Sequence, residues 1–503
     1  MNELIANLRE YWMVHILLVL YTGMLAYHAW KGNRQTKGLA DYYVGGRAMG
    51  GIAIGLSFFA TYSSTNSFVG FSGKAYIWGI PWLLLVPFVV LFSLLAWVVV
   101  APRLSQFTKS LDSFTIPDFI GFRFESIPAR VFAAIIVLFA SFFYMTAVFK
   151  GIGNLLEAFL NIPYMLAIIL VFFIVMLYTM LGGFISVVKT DTIQGIVMII
   201  AAVLLFLGTV TKAGGIGAFF AVREQPESAK LFSWNGGIPF PMLLGVLFAG
   251  TIKFVVEPRQ LSRFYALQGQ HSIKTGVWVS TLCFALVYTL LVPIGIYARR
   301  ILPLGIVDSD LVVPRLLSSG EVFSNGVSAF LLLAMVAAAM SSLDSVLLVM
   351  ASTAERDIMG ILSQPISDKS AVRATRLYVV IFAFITMLIA LKPPAGIVTL
   401  TVFSGSLYST CFFPVVILGL YWHRGNEMAV LSSFVTGLSV LLLWKYLPGS
   451  RNIHQVFPAM LSSLLLYVVI SLLSSPNATE KVQLLFSFSR DKSKIFQQVQ
   501  NNS

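Results

Sequence analysis

The stretch from Gly55 to Gly73, GLSFFATYSSTNSFVGFSG, is apolar enough to enter a lipid bilayer, yet it carries Thr61, Ser63, Ser64, Thr65, Asn66 and Ser67 at its midpoint. Within hydrocarbon every backbone N–H and C=O needs a partner inside the protein, so a lipid-facing helix has no use for such a cluster. Small polar side chains flanked by glycines suit a helix that unwinds halfway across the membrane and turns its freed carbonyls toward a cavity. Carbonyls beside hydroxyls, with no fixed charge nearby, offer a seat for a dehydrated small cation. The stretch therefore predicts the first half of a site for an ion and a solute.

The remainder of the chain supplies the bilayer-crossing context. Of its 503 residues 58% are hydrophobic and only 11% charged, which excludes an ordinary soluble domain and predicts an all-α polytopic membrane protein. Cys283 and Cys411 lie in apolar runs and the five histidines are scattered, so neither a disulfide framework nor a zinc spacing is expected. The first apolar run, 12–30, has no basic region ahead of it and no cleavage pattern after it, so no signal peptide is expected. The loop that follows, KGNRQTKGLADYYVGGRAMGG, is basic, which places it in the cytoplasm and the N-terminus outside. Further spans are predicted at 51–78 (the interrupted one), 80–102, 131–153, 163–187, 192–211, 239–257, 276–299, 326–351, 374–391, 395–422, 427–446 and 454–474. That makes thirteen, with the C-terminus cytoplasmic. Most Lys and Arg fall in the cytoplasmic segments of this scheme, so the net charge of +13 reflects topology and calls for no nucleic-acid partner. The tail over 476–503 is too short for a signalling or nucleotide-binding domain, no phosphate-binding glycine loop occurs, and the sequon at Asn477 is discounted as cytoplasmic.

Setting aside the extra helix at 1–30, the segments 51–211 and 239–422 each hold five spans, followed by two more over 427–475. Because five is odd, the second block runs inverted, which is the logic of transporter repeats. The second block also opens on an interrupted run, LLGVLFAGTIKFVVEP, punctuated by Gly250, Thr251 and Pro258. The period is topological; the two blocks show no visible sequence similarity.

Several side chains in these spans are candidates for chemistry. Ala338, Ser341, Ser342 and Ser345 recur at i, i+3, i+4 and i+7 and share one helical face, bordered by Asp344. Alanine and serine also serve close helix packing, but an aspartate inside a span needs a partner or a wet cavity. Asp191 with Gln194 reads as a capping-box-like helix start and also as an acidic station on a cation's exit path. Lys253 pairs either with Glu257 at i+4 or with a substrate carboxylate. Tyr62, Asn66, Ser67, Tyr144 and the segment Ser404 to Thr410 are candidates to line the solute cavity.

DYYVGGRAMGG, ATYSSTNSFVGFSG, GGFISVVKTDTIQG, EPRQLSRF and SSLDSVLL, in this order and spacing, resemble the sodium:solute symporter family over about residues 12 to 475. DLVVP, KPP and LGLYWHR look most like its sodium/pantothenate branch, and EPRQLSRF is closer to sodium/proline symporters. The resemblance implies a LeuT-like fold with a five-plus-five inverted repeat and sodium as coupling ion. It implies a main sodium site from the carbonyls of Ala60, Ser63 and Ala338 with the hydroxyls of Ser341 and Ser342. A second cation site would fall on Asp191, Ser341, Asp344 and Ser345, with Asp344 standing where those members carry serine. Tyr62 stands where sodium/proline symporters carry an aspartate, which removes a charged ion contact.

The expected function is thus a symporter in the plasma membrane, the inner membrane of the cell, that takes up a small organic solute with sodium. The solute is expected to be a carboxylate such as a vitamin, a monocarboxylate or an amino acid. Proton coupling through Asp191 or Asp344 and a transporter-like sensor are the alternatives. An enzyme would need a clustered nucleophile, base or metal set, which the sequence lacks. No obligatory protein partner is evident.

Overall fold

The computed structural model describes residues 12–475 and Phe486, apart from 235–236, 304, 363, 365, 447–449 and 451. The sequon at Asn477 and, Phe486 excepted, the tail over 476–503 lie outside the described residues. Among the described residues the chain is helical, with one isolated bridge between Met49 and Leu267. Among the described residues eleven helices are long and apolar enough to cross a membrane, beginning with Trp12–Gln35 and ending with Val456–Leu473.

The interrupted helix is present as Gly51–Tyr62, an opening at Ser63, a π-helical turn over Asn66–Gly70 and a final helix Phe71–Trp78. A second interruption divides Phe240–Thr251 from Pro258–Tyr265. There Pro258 excludes the helical conformation from the residue before it, and Glu257 is extended at φ −77°, ψ 125°.

One boundary differs from expectation. Instead of separate helices over 163–187 and 192–211, Tyr164–Ala213 is interrupted only at Gly183, with φ 61° and ψ −174°. That conformation belongs almost solely to glycine, and a Cβ there would lie 2.8 Å from the Tyr42 ring. Asp191 therefore sits inside the second half of this element and is not a helix-capping residue.

Asn325–Leu362 runs through the centre: 89% of its most apolar window is buried, against 17% for Trp12–Gln35. Its alanines and serines let neighbouring backbones approach closely. The helix Ile127–Leu160 beside it is fastened at two levels. At its start Arg130 meets Asp118 at 2.6 Å and Asp357 at 2.8 Å, with Arg356 adding a bond to Asp118. Toward its other end Lys150 meets Asp310 at 2.9 Å, and Asp310 also accepts the Ile397 N–H that opens the helix Ile397–Phe412.

Candidate functional site

At the first interruption the side chains take over the backbone's donors. Ser64 N–H bonds to Ser67 Oγ, Asn66 N–H to Ser64 Oγ, and Ser67 N–H to the Ser64 carbonyl. The carbonyls of Ala60, Tyr62 and Ser63 thereby lose the donors that a continuous helix would give them. The Thr61 carbonyl is held from outside, by Arg259 Nη1 at 2.6 Å and Ser342 Oγ at 3.1 Å. Ser342 brings the central helix to the break, with Ala338 and Ser341 buried on the same face. A serine that donates its hydrogen to one acceptor still presents lone pairs to a cation, and Ser341 and Ser342 both have that character. The donor set, all oxygen and without histidine or cysteine, suits a hard cation.

Beside this break lies a fully buried polar cluster. Asp191 Oδ2 accepts from Ser57 Oγ (2.6 Å), Thr61 Oγ1 (3.3 Å) and Arg263 Nη2 (2.8 Å), while Oδ1 accepts from Ser341 Oγ (2.5 Å). Arg263 Nη2 also reaches Ser345 Oγ at 2.6 Å. The structure thus joins Asp191, Ser341 and Ser345, but a guanidinium already stands among them. Asp344 Oδ1 accepts from Ser345 at 3.2 Å, and its Oδ2 is buried with no hydrogen-bond partner among the described residues. Gln194, the other half of the expected capping pair, donates to Tyr21 Oη.

The Lys253–Glu257 pair does not form. The proline break turns Glu257 to Arg259, at 2.6 Å, and both are buried. Lys253 lies buried with its ammonium 4.9 Å from the centre of the Tyr144 ring, which also carries Arg259 at 3.8 Å. Positive charge over an aromatic face is favourable, and Lys253 forms no ion pair among the described residues. Tyr62, Asn66, Tyr144 and Lys253 line one narrow cavity of about 10 Å³. Two side chains fall elsewhere. Ser67 bonds Tyr288 at 2.6 Å, and Ser404, buried and without a partner among the described residues, is not part of the lining. A wider recess of about 530 Å³, bounded by Trp78, Phe143 and His454, shares Val246 and Val402 with that cavity.

Ser57, Arg259 and Arg263 were not picked out by sequence reasoning. The available signal was the spacing of Arg259 and Arg263, which puts two arginines on one face of a short helix.

The sequence profile of the sodium:solute symporter family matches residues 42–437. The sodium/pantothenate symporter of Haemophilus influenzae is 30% identical over 459 residues, 90% of this chain and 94% of that one. The osmoregulated proline transporter of Bacillus subtilis is 28% identical over 494 residues, 96% of this chain and 97% of that one. Among solved structures, a substrate-bound, outward-open Na⁺-coupled sialic acid symporter superposes with a TM-score of 0.80 at 20% identity, over 92% of this chain and 98% of that one.

Proposed function

Because the chain belongs to the sodium:solute symporter family, we propose that it couples inward sodium flow to uptake of a small organic carboxylate. The observation that carries the carboxylate reading is Lys253. Arg259 is ion-paired with Glu257, whereas Lys253 is buried at the rim of the same narrow cavity and forms no ion pair of its own among the described residues. An uncompensated buried charge is costly. A solute carboxylate would complete it with charge-assisted hydrogen bonds, with Tyr62, Asn66 and Tyr144 fixing orientation.

Sodium in this reading sits at the break, on the carbonyls of Ala60, Ser63 and Ala338 with the Ser341 and Ser342 hydroxyls. In this reading the chain crosses the membrane thirteen times. The Gly183 kink divides one long element into two crossings, and Gly51–Trp78 forms another. Residues 51–211 and 239–422 are the inverted repeats, flanked by an added first helix and two final ones. The basic loops put the N-terminus outside and the C-terminus in the cytoplasm, in the plasma membrane.

Energetics bear on stoichiometry. One sodium entering a cell at about −100 mV gains ~2.3 kcal/mol, and a tenfold gradient adds ~1.4 kcal/mol. A neutral solute is then concentrated about 500-fold, whereas a monoanion with one sodium moves no net charge and keeps only about tenfold.

The test is uptake into proteoliposomes of labelled pantothenate, proline, short monocarboxylates and a sugar, driven by a sodium gradient and then by a proton gradient. Sodium-driven accumulation of a carboxylate is the expected result. Accumulation of the sugar alone, or of nothing with sodium, removes the reading.

A further inference from the structure

The last turn of the first helix, Trp12–Gln35, is pressed against the Gly183 kink. A Cβ on Gly32 would stand 2.6 Å from the Gly182 carbonyl oxygen and 2.9 Å from Ser186 Cβ, so this turn is held in place by backbone contact. Tyr27, Trp30, Lys31 and Arg34 recur at i, i+3, i+4 and i+7, share the opposite, outward side and are all exposed. The Lys31 ammonium lies 5.7 Å from the centre of the Tyr27 ring, and the Arg34 guanidinium 4.0 Å from that of Trp30. Aromatic rings of this kind stand at the level of the lipid headgroups.

A second helix completes the patch. Lys189, in Tyr164–Ala213, bonds the neutral Gln35 side chain at 2.6 Å, and the charges of Lys189 and Lys31 act on each other and on His28. Ile193, Ile196 and Ile200 follow Lys189 on one helical face and are between 37% and 48% exposed. Lys189 thus heads an apolar, outward-facing stripe.

These charges meet no carboxylate. Among the described residues Lys31, Arg34 and Lys189 form no ion pair, and Arg376 beside them bonds the neutral Asn33 side chain. The two acids of the adjoining segments are engaged by backbone, Asp41 with the Lys37 N–H and Asp368 with the Leu39 N–H. A helix C-terminus favours one cation such as Arg34. It does not account for Lys189, which comes from another helix and stands near Lys31 against their mutual repulsion.

We propose that this seam binds the phosphodiester headgroup of one anionic phospholipid, with Lys31, Arg34 and Lys189 on the phosphate and an acyl chain along Ile193, Ile196 and Ile200. Charge-assisted bonds from two ammonium groups and a guanidinium suit a phosphate. The apolar stripe and the two interfacial rings continue the site in the direction a lipid would take, which a soluble anion would leave unused. Basic pockets between membrane helices on the cytoplasmic side bind such headgroups. The bound lipid ties the first helix, which lies outside the two five-helix blocks, to the kinked element. The site is independent of what the molecule transports.

The experiment titrates phosphatidylglycerol against phosphatidylcholine on the full chain in micelles and counts bound lipid by native mass spectrometry. Wild type should retain one phosphatidylglycerol in preference to phosphatidylcholine. Each cation near a membrane surface contributes about fivefold, so Lys31→Gln with Lys189→Gln should weaken that retention about 30-fold. Lys31→Arg with Lys189→Arg should keep it. Lys109, bonded to the Gln268 carbonyl, and Lys274, in the first turn of Gln270–Leu291, serve as the control pair at the same end of the molecule. Lys109→Gln with Lys274→Gln should leave retention unchanged. In phosphatidylcholine vesicles the Lys31→Gln, Lys189→Gln variant should melt with wild type, and added phosphatidylglycerol should raise the midpoint of wild type alone. Equal weakening by the control pair reduces the patch to diffuse charge, and absence of any preference for phosphatidylglycerol removes the site. Displacement of the lipid by inorganic phosphate assigns it to a soluble anion. Each of these three results overturns the proposal.

Discussion

Arg263 and Asp191 meet at 2.8 Å with neither side chain more than 1% exposed, and they join the second interrupted helix to the long helix that follows the Gly183 kink. Removing one member leaves a bare charge in the membrane interior, a loss of about 3–5 kcal/mol. Arg263→Gln and Asp191→Asn should each lower the thermal unfolding midpoint in detergent. The double variant should recover a large part of the loss. Additive losses would show that the two residues do not act as a pair.

Ser342 joins the central helix to the Thr61 carbonyl at the break. If sodium sits where proposed, Ser342→Ala removes one of its oxygens, so half-maximal uptake should need roughly tenfold more sodium, the equivalent of a ~1.4 kcal/mol contact. Sodium activation curves give the answer, and an unchanged curve takes Ser342 out of the site.

Lys253→Met keeps the bulk over Tyr144 and deletes the charge. A hydrogen bond to a charged group contributes about 1.5–3 kcal/mol, so KM for a carboxylate should rise about 10- to 100-fold. Competition by the matching uncharged amide should change little. Equal weakening of acid and amide would mean that Lys253 serves packing only.

Just ahead of the last membrane-crossing helix, which begins at Val456 and not at 454, burial pushes the His454 imidazole down to about 4, and its Nδ1 accepts the Val456 N–H. Only the neutral ring can do so. The unfolded chain takes up a proton below about pH 6.5. Stability from this residue is therefore present above pH 6.5 and is lost as pH falls toward 4, at up to about 1.4 kcal/mol per unit. Melting curves across that range should shift down for wild type and flatten for His454→Asn.

The helix break was legible because six polar residues inside an apolar run leave the backbone few alternatives. The serine face of the central helix was legible from its 3.6-residue period. The Arg263–Asp191 contact was not, since its partners stand 72 residues apart and spacing carries no information about such meetings. The Lys253–Glu257 expectation failed for a local reason. An i,i+4 pair needs an unbroken helix, and Pro258 ends it at Glu257. The kink was displaced to Gly183 because a left-handed backbone angle, rather than a cluster of polar residues, ends the first half of that element.

The helix Ile127–Leu160 behaves as a strut anchored toward both its ends, through Arg130 at one and Lys150 at the other. Such a strut cannot tilt without slackening one of its anchors. The anchors are unequal: Arg130 holds two fully buried carboxylates, while Lys150 meets the half-exposed Asp308 at 3.9 Å and Asp310 at 2.9 Å, and Asp310 must also hold the Ile397 N–H. Which face of the molecule rests closed is then a contest between ion pairs, weighted by salt and voltage as much as by apolar packing.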